Sequence, residues 1–303
     1  MTASGGRDRP VRSTLRVAGR DVTLLRGGLF EDGGGRHQRG EGGDGRRGGG
    51  GGTLLYLHGL CDIHAVWPGE EWTEFLGALA SRFDVVAPAL PGYNGSTGLE
   101  ELDDVEDYVF HLVDLCAAAG IDGPVHVVGH SLGGWFATEL ALRRPELVAR
   151  LVLVDPLGVH VRGVEVPPFF GAVAPRGIGG AGEARRLLFA EPDGPVAAGA
   201  LPDAMSTEQQ LLWFAGLAGA ARLGWKAPHF QSRKLTGRLG RVRVPTLVVR
   251  GERDLLVPAE AGRSWAESVP GARLVEIPGA GHCLPLEQPD VAAEVESFLN
   301  RAG

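Results

Sequence analysis

The chain has 303 residues, 44% hydrophobic and 22% charged, which is the balance of a globular protein with a substantial core. Its net charge of −7 gives no attraction to nucleic acid or to an anionic membrane, so we expect neither as a partner. The three cysteines are scattered and form no CxxC pair. The sequence also shows no apolar core of a secretory signal and no membrane-spanning stretch, so we expect a cytoplasmic location.

The N-terminal part of the sequence alternates between flexible and strand-forming patterns. Residues 1–12 are polar and predicted to be flexible. The following STLRVAGRDVTLLRGG alternates apolar and polar residues around Ala18 and Gly19, which predicts a β-hairpin. Residues 33–52 contain twelve glycines among charged residues and cannot build a core, so we expect a disordered surface loop. This loop carries no G-x-x-x-x-G-K-[ST] pattern for phosphate binding.

From residue 53 onward, short apolar segments alternate with helical patterns. The predicted strands are TLLYLHG, FDVVAPALPG, VHVVG, LVLVDP, VPTLVVRG and ARLVEIPG. The predicted helices between and after them are WTEFLGALASR, VEDYVFHLVDLCAAAG, SLGGWFATELALRRP, PAEAGRSWAESV and PDVAAEVESFLNRA. This alternation predicts an α/β fold, with a mostly parallel twisted sheet covered by helices on both faces.

Residues 156–243 interrupt this alternation with several prolines and with the helical segments GEARRLLFA and STEQQLLWFAGLAGAARLGW. We interpret them as a helical cap inserted after the sixth strand, with residues 13–155 and 244–303 forming the core. In open α/β sheets, ligands bind outside the carboxyl ends of the strands. A cap over that edge is therefore expected to shape an apolar pocket.

The segment VHVVGHSLGG contains the pattern G-x-S-x-G between a predicted strand and a predicted helix. In this context the turn places a serine on a strained backbone, with its hydroxyl above the sheet. Side chains two positions before and after would crowd the turn, so Gly129 and Gly133 fit its steric demands. Ser131 is therefore the candidate nucleophile, and a plain structural turn is the alternative.

A serine hydroxyl needs a general base, and that base needs an orienting carboxylate. Asp254 and His282 follow the last two predicted strands, which gives the chain order Ser, Asp, His. Asp155 ends LVLVDP at the same expected edge and is a rival for the acid. His130 is expected to pack beside the turn that carries Ser131, and His58 is expected to order its loop. Neither is expected to act as the base.

Attack on a carbonyl also requires donors for the developing oxyanion. The backbone N–H of Leu132, directly after the nucleophile, is one expected donor. The other is assigned to the backbone N–H of Leu60, in the loop after TLLYLHG. Removing one such donor typically costs about 3–4 kcal/mol of transition-state stabilisation.

Six segments in this order make the chain resemble the α/β-hydrolase superfamily from about residue 53 to the C-terminus. The resemblance implies a serine hydrolase with a Ser131–His282–Asp254 relay, and it does not fix the substrate. The chain departs from the family in its long glycine-rich loop and in Ala89, where aspartate is frequent. The segments are LHGL (57–60), PALPGYNGS (88–96), GHSLGG (129–134), LVLVDP (151–156), PTLVVRGERD (245–254) and PGAGHCLPLEQP (278–289).

The function predicted from these residues is hydrolysis of a small to medium apolar carboxylic ester through an acyl-enzyme. No cofactor is expected, the partner is a small apolar ester or ketone, and the protein is expected to be a monomer or homodimer. One alternative is a C–C bond hydrolase of meta-cleavage-type diketones that uses the same triad. Such enzymes resemble this chain but commonly carry tryptophan where it has Cys283. The other alternative is a non-catalytic ligand-binding protein.

Two further groups of residues need an interpretation. Cys61, Asp62 and His64 lie together, but their spacing fits no common zinc pattern, so no metal site is predicted. The expected substrate pocket includes three aromatic residues of the cap and the residue after His282. These residues are Trp213, Phe214, Trp225 and Cys283.

Overall fold

The computed structural model describes residues 10–28, 51–60, 62, 72–167, 169–170 and 181–301. Most of the glycine-rich loop 33–52, and residues 1–9 of the predicted flexible N-terminus, lie outside these ranges. The strands are β1 (Val11–Val17), β2 (Arg20–Gly27), β3 (Thr53–Leu57), β4 (Asp84–Pro88), β5 (Val125–His130), β6 (Val148–Val154), β7 (Gly158–Val159), β8 (Gln231–Ser232), β9 (Thr246–Gly251) and β10 (Arg273–Ile277).

Helices connect most of these strands. The α-helices are α1 (Glu74–Ala80), α2 (Val105–Ala118), α3 (Leu132–Arg143), α4 (Ala181–Leu188), α5 (Pro195–Ala200), α6 (Thr207–Gly224), α7 (Arg233–Thr236), α8 (Ala259–Ser268), α9 (Leu284–Glu287) and α10 (Ala292–Leu299). Short 3-10 helices span Leu99–Glu101, Pro145–Leu147, Leu239–Arg241 and Pro289–Val291. Within the described ranges, no helix combines the length and the low polarity needed to cross a bilayer.

The main sheet has eight strands in the order β1-β2-β4-β3-β5-β6-β9-β10. The six strands from β4 to β10 are mutually parallel, and β2 joins them antiparallel to β4. The β1–β2 hairpin turns at Ala18 and Gly19, which both have positive φ. These pairings confirm the predicted α/β fold with a mostly parallel sheet, and they confirm the predicted hairpin.

The sheet is covered on both faces because successive side chains of a strand point in opposite directions. In β3, Leu54 and Tyr56 pack into a cluster with residues of α1 and α10. Leu55 and Leu57 pack into a second cluster with residues of α2, α3 and α8. Complete burial of one such side chain stabilises the fold by about 1.5–3 kcal/mol. The apolar runs of the sequence thus form the middle layer of a three-layer core.

Three residues with reactive side chains lie at one edge of this sheet. Ser131 directly follows β5, Asp254 comes three residues after β9, and His282 comes five residues after β10. Parallel strands bring their carboxyl ends to the same edge, so the fold gathers these distant residues.

The segment between β6 and β9 contains helices α4–α7 and the two-stranded β7–β8 pair. Its longest helix, α6, begins with a capping box in which Ser206 and Gln209 bind each other's backbone N–H. The Tyr93 hydroxyl donates to the Gly216 carbonyl of α6 at 3.0 Å. A Cβ at Gly216 would lie 3.0 Å from the Tyr93 ring, so a glycine permits this close approach.

The end of α4 is bound to the loop that carries His282. The Cys283 N–H donates to the Leu188 carbonyl at 2.8 Å. Glu287 accepts hydrogen bonds from the N–H groups of Ala190 and Gly281, both at 2.7 Å. Two of these hydrogen bonds join this part of the β6–β9 segment to the core, and the third holds Glu287 to the loop before His282.

Candidate active site

The turn between β5 and α3 holds Ser131 in a strained conformation, with φ 54° and ψ −117°. A Cβ at Gly129 would lie 2.4 Å from the Gly133 carbonyl oxygen, and one at Gly133 would lie 2.0 Å from the Leu57 carbonyl oxygen. Backbone atoms cannot yield to such contacts, so both positions require glycine. The Ser131 N–H donates to the Val154 carbonyl at 2.9 Å, which anchors the turn to the neighbouring strand.

The structure brings Ser131, His282 and Asp254 into one chain of hydrogen bonds. His282 Nε2 lies 2.9 Å from Ser131 Oγ, and His282 Nδ1 lies 2.9 Å from Asp254 Oδ2. An ionised carboxylate only accepts hydrogen bonds, so Nδ1 carries the proton and Nε2 is left to accept the serine proton. All three residues are at most 4% exposed, so water competes little for these contacts.

Asp254 is held as a carboxylate by several donors. Its Oδ1 accepts the N–H groups of Leu256 and Val257, both at 2.8 Å. Burial acts to raise the pKa of Asp254, but the charge and hydrogen bond of His282, together with the Val257 N–H, hold this pKa below its usual value. The side chain can therefore orient His282 and stabilise an imidazolium form.

Asp155, the rival acid, lies at the end of β6 and is fully buried. Its Oδ1 accepts the Gly251 N–H at 2.9 Å, and its side chain also makes a hydrogen bond with the Asp254 carboxylate. Burial and the nearby Asp254 charge raise the pKa of Asp155 well above its usual value. The carboxylate bonded to His282 is thus Asp254, and Asp155 is a neighbour that favours the neutral form.

The two expected oxyanion donors belong to segments that contact Ser131. Leu132 is the first residue of α3, where a helix leaves its N–H groups without intrahelical partners. The loop with Leu60 approaches from β3, and a Cβ at Gly59 would lie 2.8 Å from the Ser131 Cβ. In the described part of the chain, neither the Leu60 N–H nor the Leu132 N–H donates to another group. Their assignment as oxyanion donors stays a prediction.

A small cavity lies beside this loop and the start of α3. It has a volume of about 10 Å³, which is room for about one water molecule. Helix α6 contributes its small residues Gly219 and Ala220 to the lining. The complete lining is His58, Gly59, Leu90, Tyr93, Tyr108, Leu132, Phe136, Gly219, Ala220 and Leu223.

None of the four residues predicted for the substrate pocket lines this cavity. Phe214 and Trp225 are 53% and 65% exposed on the outer surface of the β6–β9 segment. Trp213 is half-buried against the core, and Cys283 is completely buried. Their participation in substrate binding stays a prediction.

His58 links two loops and has no free ring nitrogen. Its Nε2 accepts the Leu90 N–H at 2.9 Å, so the ring proton lies on Nδ1 and is donated to the Gly59 carbonyl at 2.7 Å. Burial lowers the pKa of His58 and favours this neutral form. The residue orders its loop and is not placed to act as a base toward Ser131.

Asp62 and Tyr56 carry no motif that marks them as functional, yet they lie together beside His130, the residue before Ser131. The neighbours of Asp62 in the sequence, Cys61 and His64, lie outside the described residues. Among the residues described, no group of three His, Cys, Asp or Glu side chains is arranged to hold a metal ion. Asp62 instead bonds to His130, a contact across 68 positions that no local pattern indicates.

The sheet order, the strained turn after β5 and the histidine after the last strand are features of an alpha/beta hydrolase. A model of the alpha/beta hydrolase family matches residues 54–295 of this chain. The chain therefore belongs to that family.

The relatives of this chain include several hydrolases. The bifunctional esterase/perhydrolase DCH of Acinetobacter calcoaceticus is 29% identical over 241 residues, which are 73% of this chain and 84% of that protein. A pimeloyl-[acyl-carrier protein] methyl ester esterase of Chromobacterium violaceum is 34% identical over 240 residues, covering 74% of this chain and 87% of that protein. Polyketide synthase ThaQ of Burkholderia thailandensis is 31% identical over 77% of this chain, which spans only 11% of that protein.

Among solved structures, the meta-cleavage product hydrolase of Pseudomonas fluorescens IP01 has a similar fold. The two structures superimpose with a TM-score of 0.72 and 20% sequence identity, over 96% of this chain and 98% of that one. At this level of identity the similarity extends to the fold alone.

Proposed function

We propose that this protein is a serine hydrolase that cleaves a small to medium apolar carboxylic ester through an acyl-enzyme. The observation that carries the proposal is the continuous hydrogen-bond chain from Ser131 Oγ through the His282 ring to Asp254. The availability of two backbone donors beside Ser131 supports it. The esterase relatives favour an ester over other substrates of this fold.

In the proposed reaction, Ser131 Oγ attacks the ester carbonyl carbon while its proton moves to His282 Nε2. Asp254 stabilises the resulting imidazolium, and the Leu60 and Leu132 N–H groups bind the oxyanion. The tetrahedral intermediate expels the alcohol, which takes the proton from His282 and leaves an acyl-Ser131 ester. A water molecule, deprotonated by His282, then releases the carboxylic acid and restores the serine. The only co-reactant is water.

We further propose that residues 156–243 act as a cap over this site. The support is that Gly219, Ala220 and Leu223 of α6 line the cavity beside Leu132. An acyl or alcohol group bound there would contact mainly apolar atoms of α2, α3 and α6. Small apolar groups are expected to fit with the least displacement of α6.

The Ser131→Ala variant tests the proposal. We expect the rate of p-nitrophenyl acetate and butyrate hydrolysis to fall by about 10⁴-fold or more, because removing the nucleophile removes the covalent route. A fluorophosphonate probe should label the wild-type protein and leave the variant unlabelled. The exposed Ser81, far from the site, supplies a control variant, Ser81→Ala, that should be labelled and active.

Retention of esterase activity in the Ser131→Ala variant would contradict the proposal. Absence of labelling and turnover in folded wild-type protein would favour a ligand-binding role. A vinylogous 1,5-diketone in the same substrate panel separates ester from C–C bond hydrolysis. Faster turnover of the diketone than of every ester would replace the proposed substrate class while keeping the triad.

A further inference from the structure

A second histidine–carboxylate pair lies beside the first, beneath the strained turn. His130 Nδ1 is 2.5 Å from Asp62 Oδ1, and the two residues are only 1% and 5% exposed. The other ring nitrogen of His130, Nε2, is 2.8 Å from the backbone carbonyl oxygen of His282. Neither side chain has a role in the proposed reaction sequence.

The hydrogen-bond partners define the charges of this pair. Both ring nitrogens of His130 face oxygen acceptors, and only the imidazolium form has two N–H donors. Asp62 Oδ2 accepts the Tyr56 hydroxyl at 2.8 Å and the Gly59 N–H at 2.7 Å. With His130 at Oδ1, Asp62 has three donors among the described residues alone, which is the environment of an ionised carboxylate. Burial alone would lower the pKa of His130, but the charge and hydrogen bond of Asp62 raise it.

The ion pair connects the three segments that form the proposed site. Asp62 holds the Gly59 N–H, and Gly59 precedes the proposed oxyanion donor Leu60. His130 precedes Ser131 in the chain and binds the main chain of His282. A Cβ at Gly59 would lie 2.9 Å from His130 Nδ1, so the oxyanion loop packs directly on the ion pair.

Stability alone does not explain such an arrangement. Burying two charges costs several kcal/mol per ion, and apolar replacements of similar volume are often neutral or stabilising. Unlike an apolar contact, an ion pair with directed hydrogen bonds can orient the groups that it binds. It fixes the orientation of particular peptide groups, here Gly59 N–H and His282 C=O.

We infer that the Asp62–His130 ion pair is a positioning element of the serine hydrolase site. Through the Gly59 N–H it fixes the His58–Gly59 peptide, directly before the Leu60 N–H that is proposed to bind the oxyanion. Through the His282 carbonyl it fixes the main chain from which the His282 ring reaches Ser131 Oγ. Neither residue contacts the substrate. This inference rests on the proposed function.

Two isosteric or near-isosteric variants, Asp62→Asn and His130→Gln, remove one charge each. We expect kcat for the best p-nitrophenyl ester to fall by about 10–100-fold, because misplacement of a reacting group by about 1 Å costs up to 10²-fold. KM should change by less than about 3-fold, since no substrate contact is lost. The rate of fluorophosphonate labelling should fall in parallel with kcat. The double variant should be little worse than either single one, because both break the same pair.

The control is Asp84→Asn, which breaks the Arg26–Asp84 ion pair between β2 and β4, away from the site. This variant should lower the melting temperature with kcat unchanged at a temperature where circular dichroism shows it folded. Tyr56→Phe is a milder second variant that removes one donor to Asp62 and should lower kcat by about 3–10-fold.

The inference is overturned if the Asp62→Asn and His130→Gln proteins are folded and keep kcat within about 2-fold of wild type. It is also overturned if they lose activity only in proportion to their folded fraction, as expected of the control. Should one of them not fold, Tyr56→Phe and the remaining variant decide by the same criteria. Failure of the proposed function looks different, because wild-type protein would then show no Ser131-dependent turnover or labelling.

Discussion

The ends of strands β6 and β9 lie side by side in the sheet, and a buried aspartate follows each of them. Asp155 and Asp254 are 0% and 4% exposed, so burial alone would raise the pKa of both side chains. Their hydrogen-bond partners differ. Asp254 receives two backbone N–H groups and the His282 ring, whereas Asp155 receives only the Gly251 N–H among the described residues.

This difference explains why the two carboxyl groups shift in opposite directions. Burial and the Asp254 charge raise the pKa of Asp155, and the partners of Asp254 outweigh its burial and lower its pKa. The comparison shows that a buried position at the carboxyl edge of the sheet is not enough to favour the ionised form of an aspartate. The ionised form of Asp254 is favoured by hydrogen-bond donors, which come from the following loop and from His282.

The largest expected effect is that of Asp254→Asn on activity. The asparagine amide would favour the wrong tautomer of His282 and could not stabilise an imidazolium, so kcat should fall by about 10³–10⁴-fold. Initial rates on the best ester substrate measure this loss, with folding checked by circular dichroism. The matched control is Asp155→Asn, the same substitution one strand away. An equal loss of kcat in the two variants would contradict the different roles assigned to the two aspartates.

A second effect concerns the pH dependence of stability. In the unfolded chain Asp155 releases its proton above a pKa of about 3.9, whereas the folded protein retains it. Unfolding is therefore increasingly favoured as pH rises above that value, until the folded-state pKa is reached. Asp155→Asn removes this penalty and keeps an acceptor for the Gly251 N–H.

Urea titrations at several pH values between 4 and 8 measure this difference. The free energy of unfolding of the Asp155→Asn variant should exceed that of wild type increasingly as pH rises. Asp254 acts in the opposite sense, because its lowered pKa contributes stability at neutral pH that is lost in acid as pH falls through its folded value. A pH-independent difference between the variant and wild type would show that Asp155 is ionised in the folded protein.

The smallest expected effect is that of Asp155→Asn on activity. The asparagine resembles the neutral acid in shape and charge, so kcat and KM on the best ester should stay within about 3-fold of wild type. Steady-state kinetics at pH 7 measure both constants. A loss of 100-fold or more would mean that the Asp155 charge takes part in the reaction.

The fold and the outline of the site follow from local patterns in the sequence. Apolar runs of strand length, alternating with helical periodicity, define the parallel sheet, and parallel strands bring Ser131, Asp254 and His282 to one edge. The steric demand of the turn is also local, since Gly129 and Gly133 lie two residues from Ser131. These features need no knowledge of distant contacts.

The remaining features depend on contacts between distant residues. The choice between Asp155 and Asp254 is made by the neighbours of each side chain in space. The Asp62–His130 pair spans 68 positions and leaves no periodic signal. In α6, large apolar residues point in several directions, and the face that lines the cavity carries Gly219 and Ala220. The positions of the large side chains in the sequence therefore do not indicate which face of α6 lines the cavity.

The end of α4 is attached to the loop that carries His282, and under the proposed function this attachment restricts how substrate enters. The Cys283 N–H donates to the Leu188 carbonyl at the end of α4, and Glu287 accepts the Ala190 N–H two residues further on. Glu287 also accepts the Gly281 N–H, so both sides of His282 are held. If α4 swung outward during each turnover, these bonds would break and His282 would lose its register with Ser131. If Ser131 and His282 act as proposed, we expect substrate to enter away from the end of α4, where their hydrogen bond is kept.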